Sequence, residues 1–514
     1  MEGVHTHFTA LDWGVLAGYL LLTTWIGHAL RGKQSTMKDF FLAGRSLPWP
    51  AVCGSIIATE ISAITFVGVP GMVFAAGGNF TYLQWAIGSI AARVIVGIWF
   101  VKVFYEREIF SPYDYMQERL GAGARKLTTL LFFVSSVLGQ SVRLLVTALI
   151  LRTVTGLSFE LCIVIIGIFA IIWTIMGGMT TVIWTDVIQF FIFLLGGILG
   201  FVWLVGSIEG GLPELLRAGA EAGKFKLIDL STDPDVQFTL WVALLAMPFQ
   251  NLAAFGTDQL NAQRMFCCKN RSDAGKAIIA SSFSQIVTVL MLMIGAALWV
   301  HYQQVPPSPA EAALFTESSD FVFPVWITTS LPPGLTGLIL AGAFAAAISS
   351  LDSALAALSQ TSLSLVHGNE GLNEGVNDRK LLIQSRMAVI IWGVVLITVA
   401  IGLQAIRNQI DLLSLAFGMV SYTYGPLLGA FLLAISPIRR DIRGVWIGSI
   451  LSILLVLYIR PDVYNLLATF GAISMEQAVA LRPQISFAWM YPVTTLLTLG
   501  CGILFGRKRP HAHE

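Results

Sequence analysis

Residues 334–355 read GLTGLILAGAFAAAISSLDSAL, an apolar run that ends with three serines and an aspartate within five residues. The run is long enough to enter a bilayer, because a helical span needs about 20 mostly apolar residues. Polar and ionisable side chains are costly in hydrocarbon, so at this depth they normally face a bundle interior, a cavity or a pathway. The stretch therefore predicts a membrane helix with a polar functional face.

The composition of the whole chain is that of a polytopic membrane protein. Of its 514 residues, 56% are hydrophobic and 12% are charged, whereas about a quarter of the residues in soluble domains are charged. Apolar segments can be centred near residues 20, 58, 92, 140, 168, 197, 246, 289, 345, 393, 423, 450 and 496. We therefore expect an all-α polytopic membrane protein with about thirteen transmembrane helices, formed by residues 1–514 as one domain.

Lysine and arginine concentrate in alternate connections between these segments, including 31–45, 107–126 and 264–276. Such residues are enriched in the loops on the cytoplasmic side of a membrane. The pattern predicts a protein of the plasma (inner) membrane, with its N-terminus outside and its C-terminus in the cytoplasm. It also assigns Arg264 to a cytoplasmic connection.

Several functional classes are excluded by what the sequence lacks. A net charge of +1 without a basic face argues against nucleic acid as a partner, because phosphate binding needs clustered Lys and Arg. The five cysteines lie mostly in apolar runs without a CxxC pair, which indicates packing residues. No HExxH, GxSxG or credible catalytic triad is present, so no enzymatic activity is expected. The expected partners are a small-molecule solute and the lipid bilayer, and oligomerisation is not required.

Two apolar segments carry polar residues and prolines at mid-span: LPWPAVCGSIIATEISAITFVGVPG, residues 47–71, and LLAMPFQNLAAFGTDQ, residues 244–259. Discontinuous helices in transporters free backbone carbonyls that bind ions and solute near the bilayer midplane. The alternative is that Pro and small polar residues only kink or pack the helices. Glu60, a carboxylate at mid-span, indicates function by default.

The polar end of the opening stretch forms one helical face. Positions i, i+3 and i+4 share a face, so the carbonyl of Ala346 and the hydroxyls of Ser349 and Ser350 can converge, and Ser353 extends the same face. Several neutral oxygens without thiol or imidazole suit a hard cation, and Na⁺ is the natural coupling ion. Close packing of small residues explains the same pattern, and spacing alone leaves both readings open.

Four elements occur in order along the chain: ATEISAITFVGVPG, TTVIWTDVIQ, GTDQLNAQR and AAAISSLDSAL. Together they resemble the sodium:solute symporter family, over nearly the whole chain. The resemblance implies sodium-coupled import of a small polar solute by alternating access. It also implies a LeuT-like core of 5+5 helices in two inverted repeats. The expected repeats are 48–210 and 238–435, and the expected peripheral helices are 11–30, 441–460 and 486–506.

The resemblance further implies a main sodium site between the second and ninth spans. Its ligands fall on the carbonyls of Ala58 and Ile61, the carbonyl of Ala346, and the hydroxyls of Ser349 and Ser350. The helical-face argument selects the last three residues independently.

A second sodium site, present in some members of the family, maps onto Asp186 with Ser349 and Ser353. Asp352 stands where the sialic acid transporters have a serine, so it either strengthens this site or pairs with a basic residue. The alternative role for Asp186 is to cap a helix N-terminus.

The solute site is predicted from matched positions and from the polar residues at the breaks: Glu60, Ser62, Thr65, Phe80, Gln84, Arg143, Asn251 and Phe255. Arg143 either clamps a carboxylate with its bidentate fork or forms an ion pair with Glu60. The expected solute is a sugar acid or other carboxylate. The alternatives are a neutral sugar or polyol, and coupling to protons, which Glu60 and Asp352 keep open.

Overall fold

The computed structural model describes residues 8–30, 41–106, 109, 111–176, 178–373, 378–404, 411–438 and 440–508. Within these residues, nine helices are each long and apolar enough to cross a membrane. In α2, α7 and α12, two helices joined at a bend reach that length together, and α5 is a shorter apolar helix. Each of the thirteen predicted centres lies in one of these segments. They are α1 (Ala10–Ala29), α2 (Trp49–Glu60 with Ala63–Phe74), α3 (Phe80–Tyr105), α4 (Ala122–Thr155), α5 (Phe159–Met176), α6 (Met179–Gly206), α7 (Leu240–Gly256 with Gln259–Met265), α8 (Arg271–Gln304), α9 (Leu335–Gly368), α10 (Lys380–Leu403), α11 (Leu412–Ile435), α12 (Arg443–Ile459 with Pro461–Thr469) and α13 (Phe487–Phe505).

Helix α9, which contains the polar stretch, lies at the centre of the bundle. In its most apolar stretch 94% of the residues are buried, against 22% for α10, and α9 packs against α1, α4, α6 and α10. Small residues permit this close approach: a Cβ at Gly342 would lie 3.1 Å from the backbone of Phe193 in α6. The small residues of α9 therefore do pack closely, and its serines point into the protein core.

Helix α2 is broken where its polar residues lie. Its halves meet at 54°, because Ile61 and Ser62 adopt extended backbone angles between them. The Ser62 hydroxyl accepts a hydrogen bond from the Ile64 N–H at 3.3 Å and so caps the second half. The break precedes Pro70, which lies inside the second half. The predicted discontinuity is present, and polar capping rather than proline sets its position.

Helix α7 bends by 58° between its two halves. Asp258 begins the second half, because its Oδ1 accepts a hydrogen bond from the Leu260 N–H at 2.8 Å. Pro248 occupies the first turn of the helix Met247–Gly256, where proline needs no backbone partner. A third bend, of 63° in α12, precedes Pro461 and was not predicted. The breaks in α2 and α7 both lie beside the candidate site.

Candidate ion and solute site

The bend in α2 leaves backbone carbonyls without helical partners. The last carbonyls of a helix have no N–H to accept from within it, and they carry the negative end of the helix dipole. The carbonyl of Ile57 accepts a hydrogen bond from the Ile61 N–H at 2.9 Å. No backbone N–H in the described ranges bonds to the carbonyl of Ala58. Among the described residues, the carbonyl of Thr59 accepts hydrogen bonds only from the side chains of Arg143 and Ser350. This helix end therefore presents oxygens suited to a cation.

The hydroxyls of α9 meet this helix end. Ser350 Oγ lies 3.1 Å from the carbonyls of both Thr59 and Ala346, and Ser349 Oγ donates to Asp186 Oδ1 at 2.6 Å. Because each hydroxyl directs its hydrogen at an acceptor, its lone pairs are left for a cation. These atoms are buried.

The carbonyl-bearing residues of the predicted main sodium site lie together. Ala58, Ile61 and Ala346 line a narrow gap between α2, α6 and α9. The hydroxyls of Ser349 and Ser350 lie on the same helix as Ala346, and Ser350 Oγ contacts the Ala346 carbonyl. Neutral oxygens of this kind are the ligands that a hard cation prefers. The structure thus brings together all five residues predicted for the main site.

Asp186 is the centre of a buried polar cluster next to this gap. Its carboxylate accepts hydrogen bonds from Ser349 Oγ at 2.6 Å, from Ser55 Oγ at 2.5 Å and from Arg264 Nη2 at 3.1 Å. Because α6 begins at Met179, Asp186 lies two turns inside the helix. The alternative that Asp186 caps a helix N-terminus is therefore wrong.

Arg264 was predicted to lie in a cytoplasmic connection, and that prediction is wrong. It belongs to the second half of α7 and is 1% exposed. Its guanidinium pairs with Asp186, donates to Ser55 Oγ at 2.9 Å, and contacts Ser353 Oγ. A buried carboxylate needs such a partner, because an unpaired charge in the interior is very costly.

The residues predicted for a second sodium are close together, but Arg264 lies among them. Asp352 accepts a hydrogen bond from Ser353 Oγ at 3.2 Å, and both lie on the face of α9 that meets Arg264. The guanidinium supplies positive charge where the family resemblance places the second ion. A sodium ion on Asp186 would share this carboxylate with Arg264.

A cavity of about 180 Å³ opens beside the breaks of α2 and α7. One water needs roughly 10–15 Å³ on the same measure, so the cavity has room for a solute of many heavy atoms. Aromatic and polar side chains from α2, α3, α4, α7, α8 and α11 line it. The predicted solute residues in its wall are Glu60, Ser62, Thr65, Arg143, Asn251 and Phe255.

Arg143 lines this cavity. It is partly exposed there, and its Nη1 donates to the carbonyl of Thr59 at 3.0 Å. Glu60 pairs instead with Arg93 of α3. The alternative of an ion pair between Arg143 and Glu60 is therefore not realised, and Arg143 is available to a ligand.

Asp258 and Tyr424 form another part of the cavity wall. Asp258 Oδ2 accepts a hydrogen bond from the Tyr424 hydroxyl at 2.8 Å, and Oδ1 caps the second half of α7. Both carboxylate oxygens therefore have donors. This pairing joins α7 to α11 across the cavity.

Phe80 and Gln84 do not line the cavity. Gln84 Nε2 donates to the carbonyl of Phe238 at 3.0 Å, and its Oε1 accepts from the Asp229 N–H at 3.3 Å. The Phe80 ring packs edge-to-face on Phe225 with centroids 5.2 Å apart. Both residues therefore fasten the connection between α6 and α7 to the bundle, which corrects their predicted placement in the solute site.

The same connection is anchored by Lys224. Its Nζ donates to the carbonyls of Val73 at 2.7 Å and Ala75 at 3.0 Å, at the C-terminal end of α2. Although cations are favoured at this end of a helix, removing the ammonium group from water opposes its charge. Burial lowers the pKa of Lys224 from its ordinary value to about 8.

Sequence reasoning missed three charged residues of the site: Arg93, Asp258 and Arg264. Arg93 lies inside the apolar run of α3, and a charged residue at that depth was the available signal. The other two lie in GTDQLNAQR: Asp258 at the break of α7, and Arg264 in the last turn of its second half. Their partners come from other helices and are not visible in the local sequence.

Comparison with known proteins shows which family this chain resembles. Residues 40–452 match the model of the sodium:solute symporter family. The chain is 28% identical over 454 residues to the sodium/sialic acid symporter SiaT of Proteus mirabilis, covering 88% of this chain and 90% of that protein. It is 29% identical over 483 residues to the sodium/glucose cotransporter of Vibrio parahaemolyticus, covering 90% and 87% of the two chains.

Solved structures show the same fold. A substrate-bound, outward-open Na⁺-coupled sialic acid symporter superposes with a TM-score of 0.81 at 25% identity, over 98% of this chain and all of that one. MhsT in complex with L-phenylalanine, at 15% identity and a TM-score of 0.52 over 88% and 98% of the two chains, shares the fold alone. The predicted all-α, LeuT-like fold is confirmed. The chain belongs to the sodium:solute symporter family and is a multi-pass membrane transporter, not an enzyme, with Na⁺ as its coupling ion.

Proposed function

We propose that this symporter imports a small organic carboxylate, such as a sugar acid, by alternating access. Arg143 is the observation that carries the proposal. Arg143 lines the cavity inside the membrane domain and is partly exposed. A guanidinium offers paired donors that match a carboxylate. A solute with a carboxylate therefore finds a charged partner at the centre of the transporter.

The other charged residues of the cavity wall already have partners. Glu60 pairs with Arg93, and Asp258 accepts hydrogen bonds from Tyr424 and from the Leu260 N–H. Among the described residues, no carboxylate forms an ion pair with Arg143. Arg143 is thus the cation that a bound anion would neutralise.

The proposed main sodium ligands are Ala58, Ile61, Ala346, Ser349 and Ser350. Sodium bound there would link the end of the first half of α2 to α9. The same bend presents Glu60, Ser62 and Thr65 to the cavity. Sodium and solute would therefore both stabilise the same conformation of the bend in α2. Each must then tighten the binding of the other.

The proposed orientation has the N-terminus outside and the C-terminus in the cytoplasm, in the plasma (inner) membrane. Sodium entering from outside would then draw the solute inward. A second sodium on Asp186, with Asp352 and Ser353, stays a prediction, because Arg264 lies in the same cluster.

The test is uptake into proteoliposomes with an inward sodium gradient or an inward proton gradient. Labelled sugar acids, monocarboxylates, neutral sugars, polyols and amino acids are compared for wild type, Arg143→Gln and Arg152→Gln. Arg152 is the control, because it lies on the same helix and outside the cavity lining. We expect sodium-driven uptake of acids, with KM raised roughly tenfold to a hundredfold in Arg143→Gln, the size of lost charge-assisted hydrogen bonds.

Other outcomes would contradict the proposal. Sodium-driven uptake of a neutral sugar or polyol, unchanged by Arg143→Gln, would favour the neutral-solute alternative. Uptake driven only by protons would show that the serines of α9 serve packing.

A further inference from the structure

Glu60, the carboxylate at the break of α2, is held by an arginine behind the cavity wall. Arg93 of α3 is fully buried, and its Nη2 contacts Glu60 Oε1. Its Nη1 donates to Ser281 Oγ at 2.9 Å, and its Cζ lies 4.2 Å from the centroid of the Phe255 ring. Arg93 therefore joins the parts of the wall contributed by α2, α7 and α8 without lining the cavity itself.

The carboxylate of Glu60 retains unused acceptor capacity. Its side chain lines the cavity and is 29% exposed. Its second oxygen, Oε2, is shielded and accepts no hydrogen bond in the part of the chain that the structure describes. A buried carboxylate oxygen without a donor is unfavourable. Because the terminal torsion of glutamate is soft, this oxygen can reorient toward a hydrogen-bond donor.

Glu60 and Arg143 flank the same bend. Arg143 bonds to the carbonyl of Thr59, and Glu60 is the next residue. A solute whose carboxylate reaches Arg143 therefore places its neighbouring atoms near Glu60. Arg93 compensates the negative charge of Glu60, which lessens its repulsion of the solute's carboxylate.

We propose that Glu60, positioned by Arg93, accepts a hydrogen bond from a hydroxyl or ammonium group of the solute. The carrier then selects hydroxy acids or amino acids over plain acids of the same length. This inference rests on the proposed function, because it takes the solute's carboxylate to lie on Arg143. A site that bonds a solute donor discriminates against the analogue that lacks it, since its own acceptor is then left unpaired.

The experiment measures sodium-driven uptake of matched acids. D-gluconate and hexanoate have six carbons and differ in their hydroxyls. L-lactate, L-alanine and propionate have three carbons, with hydroxyl, ammonium or hydrogen at carbon 2. We expect wild type to prefer the substituted acid in kcat/KM by roughly tenfold to a hundredfold. Lactate against alanine separates the hydroxyl donor from the ammonium donor.

Variants test the two residues separately. In Glu60→Gln the preference should fall to within about threefold while uptake of the plain acid persists. Arg93→Met should also lose the preference, and Arg93→Lys should keep part of it. Arg460→Met is the control, because Arg460 is equally buried and acid-paired but lies at the break of α12. It should keep the preference whatever it does to stability.

Equal uptake of gluconate and hexanoate by wild type would overturn the inference without any variant. The same conclusion would follow if Glu60→Gln lowered kcat/KM equally for both acids. In either case, acid uptake that still depends on Arg143 would leave the proposed function standing. Uptake of neutral sugars alone would overturn both.

Discussion

Replacing Ser350 with alanine tests the ion site directly. Its hydroxyl lies 3.1 Å from the carbonyls of Thr59 and Ala346, so it joins α9 to the broken end of α2. As a proposed sodium ligand, it contributes one of five oxygens. The variant removes that oxygen and leaves the backbone carbonyls in place.

Two effects of different size are expected from Ser350→Ala. Stability should fall by about 1 kcal/mol, the net value of one hydrogen bond, because Thr59 keeps its hydrogen bond from Arg143. Sodium binding should weaken by roughly 1.5–3 kcal/mol, taking hydrogen bonds to charged groups as the guide. That corresponds to a sodium concentration for half-saturation that is about ten to a hundred times higher.

The assay is a sodium titration of the purified protein, followed by tryptophan fluorescence or thermal midpoint, with choline replacing sodium to hold ionic strength constant. It needs no knowledge of the solute. Ser359→Ala is the matched control: Ser359 is equally buried on α9 and donates to the carbonyl of Ser385 in α10 at 2.9 Å. An unchanged sodium requirement in Ser350→Ala, or the same shift in Ser359→Ala, would refute the reasoning.

Three further predictions concern stability and the connection between α6 and α7. Arg264→Met should cost about 3–5 kcal/mol in a denaturation experiment, because it leaves Asp186 buried without its partner; adding Asp186→Asn should recover most of the loss. Gly88→Ala should destabilise by about 1–3 kcal/mol, because a Cβ there would lie 2.5 Å from the Ala243 carbonyl, whereas Gly18→Ala has open space and should be neutral in the same experiment. The equilibrium constant for docking of the Lys224 side chain at the end of α2 should not change with pH below the pKa of about 8. Between pH 8 and 10.5 it should rise about tenfold per pH unit, because the undocked amine is protonated there and the docked amine is not. Protease cleavage within 222–239 that becomes faster as the pH rises over this range would contradict this prediction.

Local patterns in the sequence account for the helices and for one side of the ion site. Apolar runs of sufficient length mark the spans, and polar residues within two of them mark the breaks. The 3.6-residue period places Ala346, Ser349 and Ser350 on one face of α9. Each of these inferences uses residues within a few turns of one another, so the chain itself carries the information.

The sequence by itself therefore determined a helical membrane transporter with broken helices and a serine face. Only the tertiary structure decided which charges meet: Glu60 with Arg93, and Asp186 with Arg264. It also showed that Gln84 holds the connection between α6 and α7 instead of lining the solute site. The physical reason is that the sequence gives the sign of each charge directly. The partner of a charge depends on how helices that are far apart in the chain pack together in space.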